Sequence, residues 1–169
     1  MSSPPPLTPL AAAVLHVGAP ERVLQVACAD GEAALFLARE FPTARVRGID
    51  ADPERIAAAT QRVGLDPEGR VAFKVGGPRR LPYPEDNFDL VAAVDARPAP
   101  REVARVLRPG GHLVLAATHG AATGSGPAGW LFARSLRSQG FETVAVESAG
   151  AGSFAVARLA GRGGRAARP

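Results

Sequence analysis

The stretch at 21–52, ERVLQVACADGEAALFLAREFPTARVRGIDAD, constrains this chain more than any other. Val23, Leu24 and Val26 sit in an apolar run at 22–27, the pattern of a parallel strand covered on both faces. A turn of small residues follows at 28–31, then an amphipathic helix at 32–41 and a second strand at 45–50. Strand, helix and strand in this order make a βαβ unit with its two strands parallel in one sheet. Open sheets of this kind bind ligands at the carboxyl ends of their strands, where the chain turns into helices. The first such turn contains Ala27, Cys28, Ala29, Asp30 and Gly31, so the backbone can approach a bound molecule closely. About 19 residues beyond Gly31 the second strand ends on Asp50, a carboxylate placed to accept hydrogen bonds from a ribose.

The rest of the chain continues the alternation. Asp52 suits a helix N-cap and Pro53 the first helical position, which predicts a helix to Val63 with Gly64 ending it. A third strand is expected at 71–75, a Pro-rich loop at 76–87 and a fourth strand at 88–94. A short link at 95–99 leads to a helix at 100–107. Pro109-Gly110-Gly111 then turns the chain into a fifth strand at 112–117. A Gly- and Ala-rich connection at 118–128 precedes a helix near 129–138 and two more strands at 141–148 and 153–159. A short helix at 7–17 is expected to cover the sheet. The Pro/Ser lead at 1–6 and the Gly/Arg tail at 161–169 read as disordered, which leaves one domain at 7–160.

The first turn and its strand-tip acid resemble the first motif and second-strand acid of class I S-adenosylmethionine-dependent methyltransferases. Two further segments match in that family's order. LPYPEDNFDLV at 81–91 is similar to its approach to the fourth strand. REVARVLRPGGHLVLA at 101–116 is similar to the helix, turn and fifth strand of its small-molecule, methyltransferase-11-like branch. The resemblance implies an α/β fold: a Rossmann-like, seven-stranded, mostly parallel sheet with helices on both faces and an antiparallel strand near the edge. It implies S-adenosylmethionine as cofactor and methyl transfer to an unidentified small-molecule acceptor.

Residue by residue, the resemblance assigns Asp50 to the ribose and Ala51 to the flank of the adenosine. Where the family carries an acid followed by Gly-x-Gly-x-Gly, this chain has Gln25, Ala27, Ala29 and Gly31. Gln25 therefore lacks the charge that in the family lies near the cofactor's ammonium end. Asp30 either replaces that charge in part or caps the following helix. Gly77-Pro78 occupies the place of an Asp-Ala pair that holds adenine. Asp95, after the fourth strand, and His119, after the fifth, are the candidate bases. No metal site is expected.

Composition limits the partners. The net charge is +4 and 19 of the 20 basic residues are Arg, which raises a nucleic-acid partner. Three of those Arg lie in the tail, and no basic block has interleaved aromatics, so a nucleic-acid partner is the less favoured reading. No apolar run approaches about 20 residues, so no membrane span is expected. The single cysteine, Cys28, excludes an internal disulfide, and the N-terminus has no basic segment of a secretory signal; a cytoplasmic location follows. The short link at 95–99 leaves room for a second subunit, in a homo- or hetero-oligomer, to complete the pocket. Two alternatives stay open: a degenerate member serving as partner or scaffold subunit, and a methyltransferase for RNA or protein.

Overall fold

The computed structural model describes residues 7–161, so the lead at 1–6 and the tail at 162–169 lie outside the described residues. Seven strands form one sheet: β1 (Arg22–Val26), β2 (Arg45–Asp50), β3 (Val71–Val75), β4 (Phe88–Val94), β5 (Leu107–Ala117), β6 (Phe141–Ala149) and β7 (Gly152–Leu159). Their order across the sheet is β3-β2-β1-β4-β5-β7-β6. The first five pair in parallel, and β7 runs antiparallel between β5 and β6. This is the expected Rossmann-like arrangement, with its antiparallel strand one place in from the edge.

Helices cover both faces. On one, α1 (Thr8–Ala13) and α2 (Glu32–Glu40) supply Leu10, Ala13, Ala34 and Leu37, which pack on Val23, Val46, Leu90 and Val114. On the other, α4 (Pro100–Val106) and α5 (Gly126–Ser138) supply Val103, Val106 and Leu136 against Leu24, Ile49, Val91 and Leu113. The alternation along β1 explains the split, since successive side chains of a strand point to opposite faces. Between β2 and β3, α3 (Pro53–Val63) starts as expected: the Asp52 carboxylate accepts from Glu54 N–H at 2.9 Å and Pro53 opens the first turn. Phe73 on β3 lies across Gly48 of β2. A Cβ there would come within 2.5 Å of its ring.

Several boundaries differ from those expected. The leading helix ends at Ala13 and continues only as a 3₁₀ turn, Val14–His16. β1 stops at Val26, so Ala27 belongs to the turn. Leu107, Pro109, Gly110 and Gly111 belong to β5 rather than to a helix end and a turn. The strand absorbs them through an irregular register between Phe88 and Leu90, with Gly110 at φ 83° and Gly111 too crowded for any Cβ. α5 begins at Gly126, because Pro127 fits the first turn of a helix.

The Pro-rich loop between β3 and β4 has no helix of its own and is held from α4. Glu102 accepts from Leu81 N–H at 2.8 Å and from Arg105 through both carboxylate oxygens. Arg105 in turn donates to Leu81 O and Tyr83 O. The Arg105 hydrogen bonds hold the Glu102 carboxyl below its ordinary value. A depressed carboxyl contributes stability that is complete above the ordinary range and lost as pH falls through the folded-state value. Glu102→Ala is expected to lower unfolding stability by about 1.5–3 kcal/mol near neutral pH. Urea midpoints of the two proteins should converge as the pH is lowered below the ordinary carboxyl range.

Candidate functional site

The carboxyl edge of the sheet gathers the residues singled out above. Adjacent strands lie about 4.8 Å apart, and the register sets Asp50 of β2, Ala27 after β1 and Val94 of β4 nearly in a row. Asp50 is 5% exposed. Its Oδ2 accepts from Ala29 N–H at 3.0 Å and its Oδ1 from Asp52 N–H at 3.0 Å. Its main-chain oxygen accepts from Gly76 N–H at 3.0 Å. The Arg55 guanidinium lies 3.9 Å from Oδ2. A carboxylate offers about four acceptor positions, so each oxygen keeps about one for a further donor. Two acceptors side by side match a vicinal diol.

The turn beside it is strained. Ala27 has φ 56°, Ala29 φ 48° and Gly31 φ 86°, all in the left-handed region. That conformation costs an L-residue with a Cβ roughly 1–2 kcal/mol, so two of the three positions carry a penalty that glycine would not. Gly31 must be glycine for a second reason. A Cβ on it would lie 2.9 Å from the Phe73 ring and 3.1 Å from Ala59. Cys28 N–H donates to Ile49 O, and the buried Cys28 thiol is pushed up to about 12 by burial, with the Asp50 and Asp30 charges adding to it. It stays protonated and is no nucleophile.

Beneath the turn, Gln25 is 2% exposed, and its Oε1 has no hydrogen-bond partner among the described residues. A buried acceptor left without a donor costs about 1–3 kcal/mol, which marks the position as one that a ligand donor can satisfy. Asp30 is occupied by protein. It accepts from Glu32 N–H at 3.4 Å at the start of α2 and pairs with Arg62 of α3. Ala51 is exposed beyond Asp50. Gly77 faces open space, and its loop closes through a bridge to Arg80 while Pro78 O accepts from Ala99 N–H at 2.9 Å.

Asp95 and His119 come together through a residue that the sequence reading passed over. Thr118 donates its N–H to Asp95 Oδ1 at 2.8 Å and its hydroxyl to Asp95 Oδ2 at 2.7 Å. The same hydroxyl lies 3.3 Å from His119 Nδ1. The only available signal was a hydroxyl residue directly after a parallel strand, next to a histidine. The connection after β5 is tied down at further points. Arg97 donates to Thr123 O at 3.2 Å, and Ser153 Oγ bridges Ala122 N–H and Gly120 O. A cavity of about 740 Å³, lined by Arg101, Arg105, Gln139 and Leu159, opens at the opposite end of the strands.

Comparison with known proteins bears on the family and the fold. Residues 23–111, more than half of the chain, match the family model described as a methyltransferase domain. The methyltransferase GfsG of Streptomyces halstedii is 39% identical over 112 residues, 60% of this chain and 39% of that protein. The 27-O-demethylrifamycin SV methyltransferase of Amycolatopsis mediterranei is 35% identical over 117 residues, 64% of this chain and 43% of that protein. The chain thus spans less than half the length of these relatives. A S-adenosylmethionine-dependent methyltransferase from Aquifex aeolicus shares the fold, with a TM-score of 0.70 at 19% identity over 90% of each chain.

The left-handed alanines generate a direct test. Replacing Ala27 and Ala29 together by Gly removes two unfavourable conformations and adds flexibility to the unfolded chain. The net is expected to be a gain of about 0.5–2 kcal/mol in denaturant unfolding. A loss of stability would contradict the strain.

Proposed function

Because the chain belongs to the methyltransferase-domain family of class I S-adenosylmethionine-dependent enzymes, we propose that it uses this cofactor to methylate a small-molecule acceptor. The observation that carries the reading is Asp50: a buried carboxylate at the β2 tip, fixed by two N–H donors, with acceptor capacity left for a ribose diol. Gln25 Oε1 is an acceptor for the ammonium end, and as a neutral amide it attracts a cation less than a carboxylate does. Main-chain groups of the turn at 77–78 and the exposed Ala51 flank the adenine side, and no side-chain acceptor is present there.

When bound, the cofactor supplies a methyl group on a sulfonium, which is already a good leaving group. What remains for the chain is orientation, exclusion of water and removal of a proton from the acceptor. His119, linked to Asp95 through Thr118, follows β5 at the same carboxyl edge of the sheet as the turn and takes the part of the base. A base suits an O–H acceptor, the group that the name of the rifamycin relative also implies for that protein. The cytoplasm is the proposed location: the only cysteine is buried and unpaired, and no described helix is long and apolar enough to cross a membrane. A homo- or hetero-oligomer would close the acceptor side, where the described residues supply the 95–99 link and the connection after β5.

A second reading, a degenerate subunit that serves a partner, is favoured by the two left-handed alanines and the uncharged Gln25. Calorimetric titration with S-adenosylmethionine separates the two. Micromolar binding, lost in Asp50→Ala with the fold retained by circular dichroism, supports the enzyme. Silence up to millimolar cofactor sinks it. Gln25→Leu should move two quantities in opposite directions. It relieves an orphaned acceptor and raises unfolding stability by about 1 kcal/mol, while cofactor affinity falls about tenfold.

A further inference from the structure

The hydroxyl between Asp95 and His119 has one proton, and counting it fixes the imidazole. An ionised carboxylate only accepts, so the 2.7 Å contact requires the Thr118 hydroxyl to donate to Asp95 Oδ2. The Thr118 oxygen can then only accept from His119 Nδ1 at 3.3 Å. Nδ1 therefore carries the hydrogen, and in a neutral ring the lone pair is left on Nε2. We propose that Thr118 is a positioning residue: it relays the orientation of Asp95 to His119 and selects the tautomer whose Nε2 is free to act as base. This rests on the reading of His119 as the base for methyl transfer.

The backbone holds the relay in place. Asp95 N–H donates to Ala116 O at 2.8 Å, and Asp95 takes φ 54°, a left-handed conformation that Asp tolerates better than most residues. Thr118 N–H on Oδ1 leaves only Oδ2 to face the hydroxyl. In the transfer, the acceptor's O–H bond breaks with its proton going to Nε2. Its electron pair forms the new bond to the methyl carbon, and the pair of the broken S–C bond stays on sulfur as a neutral thioether. The imidazolium, which is exposed, returns its proton to water.

The geometry makes one substitution invert the outcome. In Asp95→Asn, the amide oxygen must stay opposite Thr118 N–H, which puts the NH₂ opposite the hydroxyl. The hydroxyl then accepts from Asn and donates to Nδ1, so the hydrogen moves to Nε2. Asn also accepts a left-handed backbone, so the fold should survive.

The test is ¹⁵N NMR of the histidine ring nitrogens in the full chain, at about pH 8.5, where imidazoles are neutral. His119 is assigned by the signal lost in His119→Gln, against His16 and His112. Wild type is expected mainly as the Nδ1–H form. Thr118→Ser should keep it, Thr118→Val should shift the ratio toward Nε2–H by about tenfold, and Asp95→Asn should reverse it. A wild-type His119 that is mainly Nε2–H, or a ratio unchanged in both Thr118→Val and Asp95→Asn, overturns the proposal. The measurement needs neither cofactor nor acceptor, so its failure is distinct from a failed cofactor titration.

Discussion

The Asp50 carboxylate joins the two turns that make the site. One oxygen holds the turn after β1 through Ala29 N–H, and the other holds the start of the β2–α3 connection through Asp52 N–H. The main chain of the same residue takes Gly76 N–H, which begins the loop after β3. The connections after three strands, β1, β2 and β3, are thus registered on a single residue. An acid here steadies both turns before any ligand arrives, because removing it leaves two N–H groups without their side-chain acceptor. A binding group whose orientation is already set loses little freedom on binding.

Around that residue the turn departs from the most comfortable sequence. Three left-handed positions alternate at 27, 29 and 31, and only the last is glycine. The cost is tolerated because neighbours fix the conformation: Cys28 N–H on Ile49 O, Ala29 N–H on Asp50, and Gly31 N–H on Cys28 O. Strain that persists because its surroundings over-determine it is common where a backbone must present its amides to a ligand. The unpartnered Gln25 oxygen under the same turn is a second local cost at the same place.

Much of this was legible in the residues. The βαβ unit, the Asp52 cap and the place of Asp50 followed from apolar periodicity and punctuation, and each strand expected from sequence is present. The failures have particular causes. Pro109-Gly110-Gly111 reads as a turn by composition, yet β5 uses those residues as an irregular strand start, where Gly111 is pressed against Arg108 O and Asp89 O. That Ala27 and Ala29 are left-handed is hidden because alanine argues against such a conformation. Phe73 gives no sign in sequence that it fills the space over Gly48 and Gly31, since that contact joins three separate strands and turns. Thr118 was invisible for a related reason. Its partner Asp95 is 23 residues away, and only the adjacency of β4 and β5 brings them together.

The strand order also bears on how the molecule assembles. β6 and β7 form a hairpin joined by two residues, a local pairing that closes quickly. β1, by contrast, completes its pairing only when β4 arrives, with Val23 opposite Leu90, so that union encloses a loop of more than sixty residues. Contacts so distant along the chain are slow to form, because loop-closure entropy must be overcome first. The turn after β1 lies at this seam. Sequence separation thus predicts that the binding edge is ordered late, and a nascent chain that has not yet released β4 carries β1 with one side unpaired.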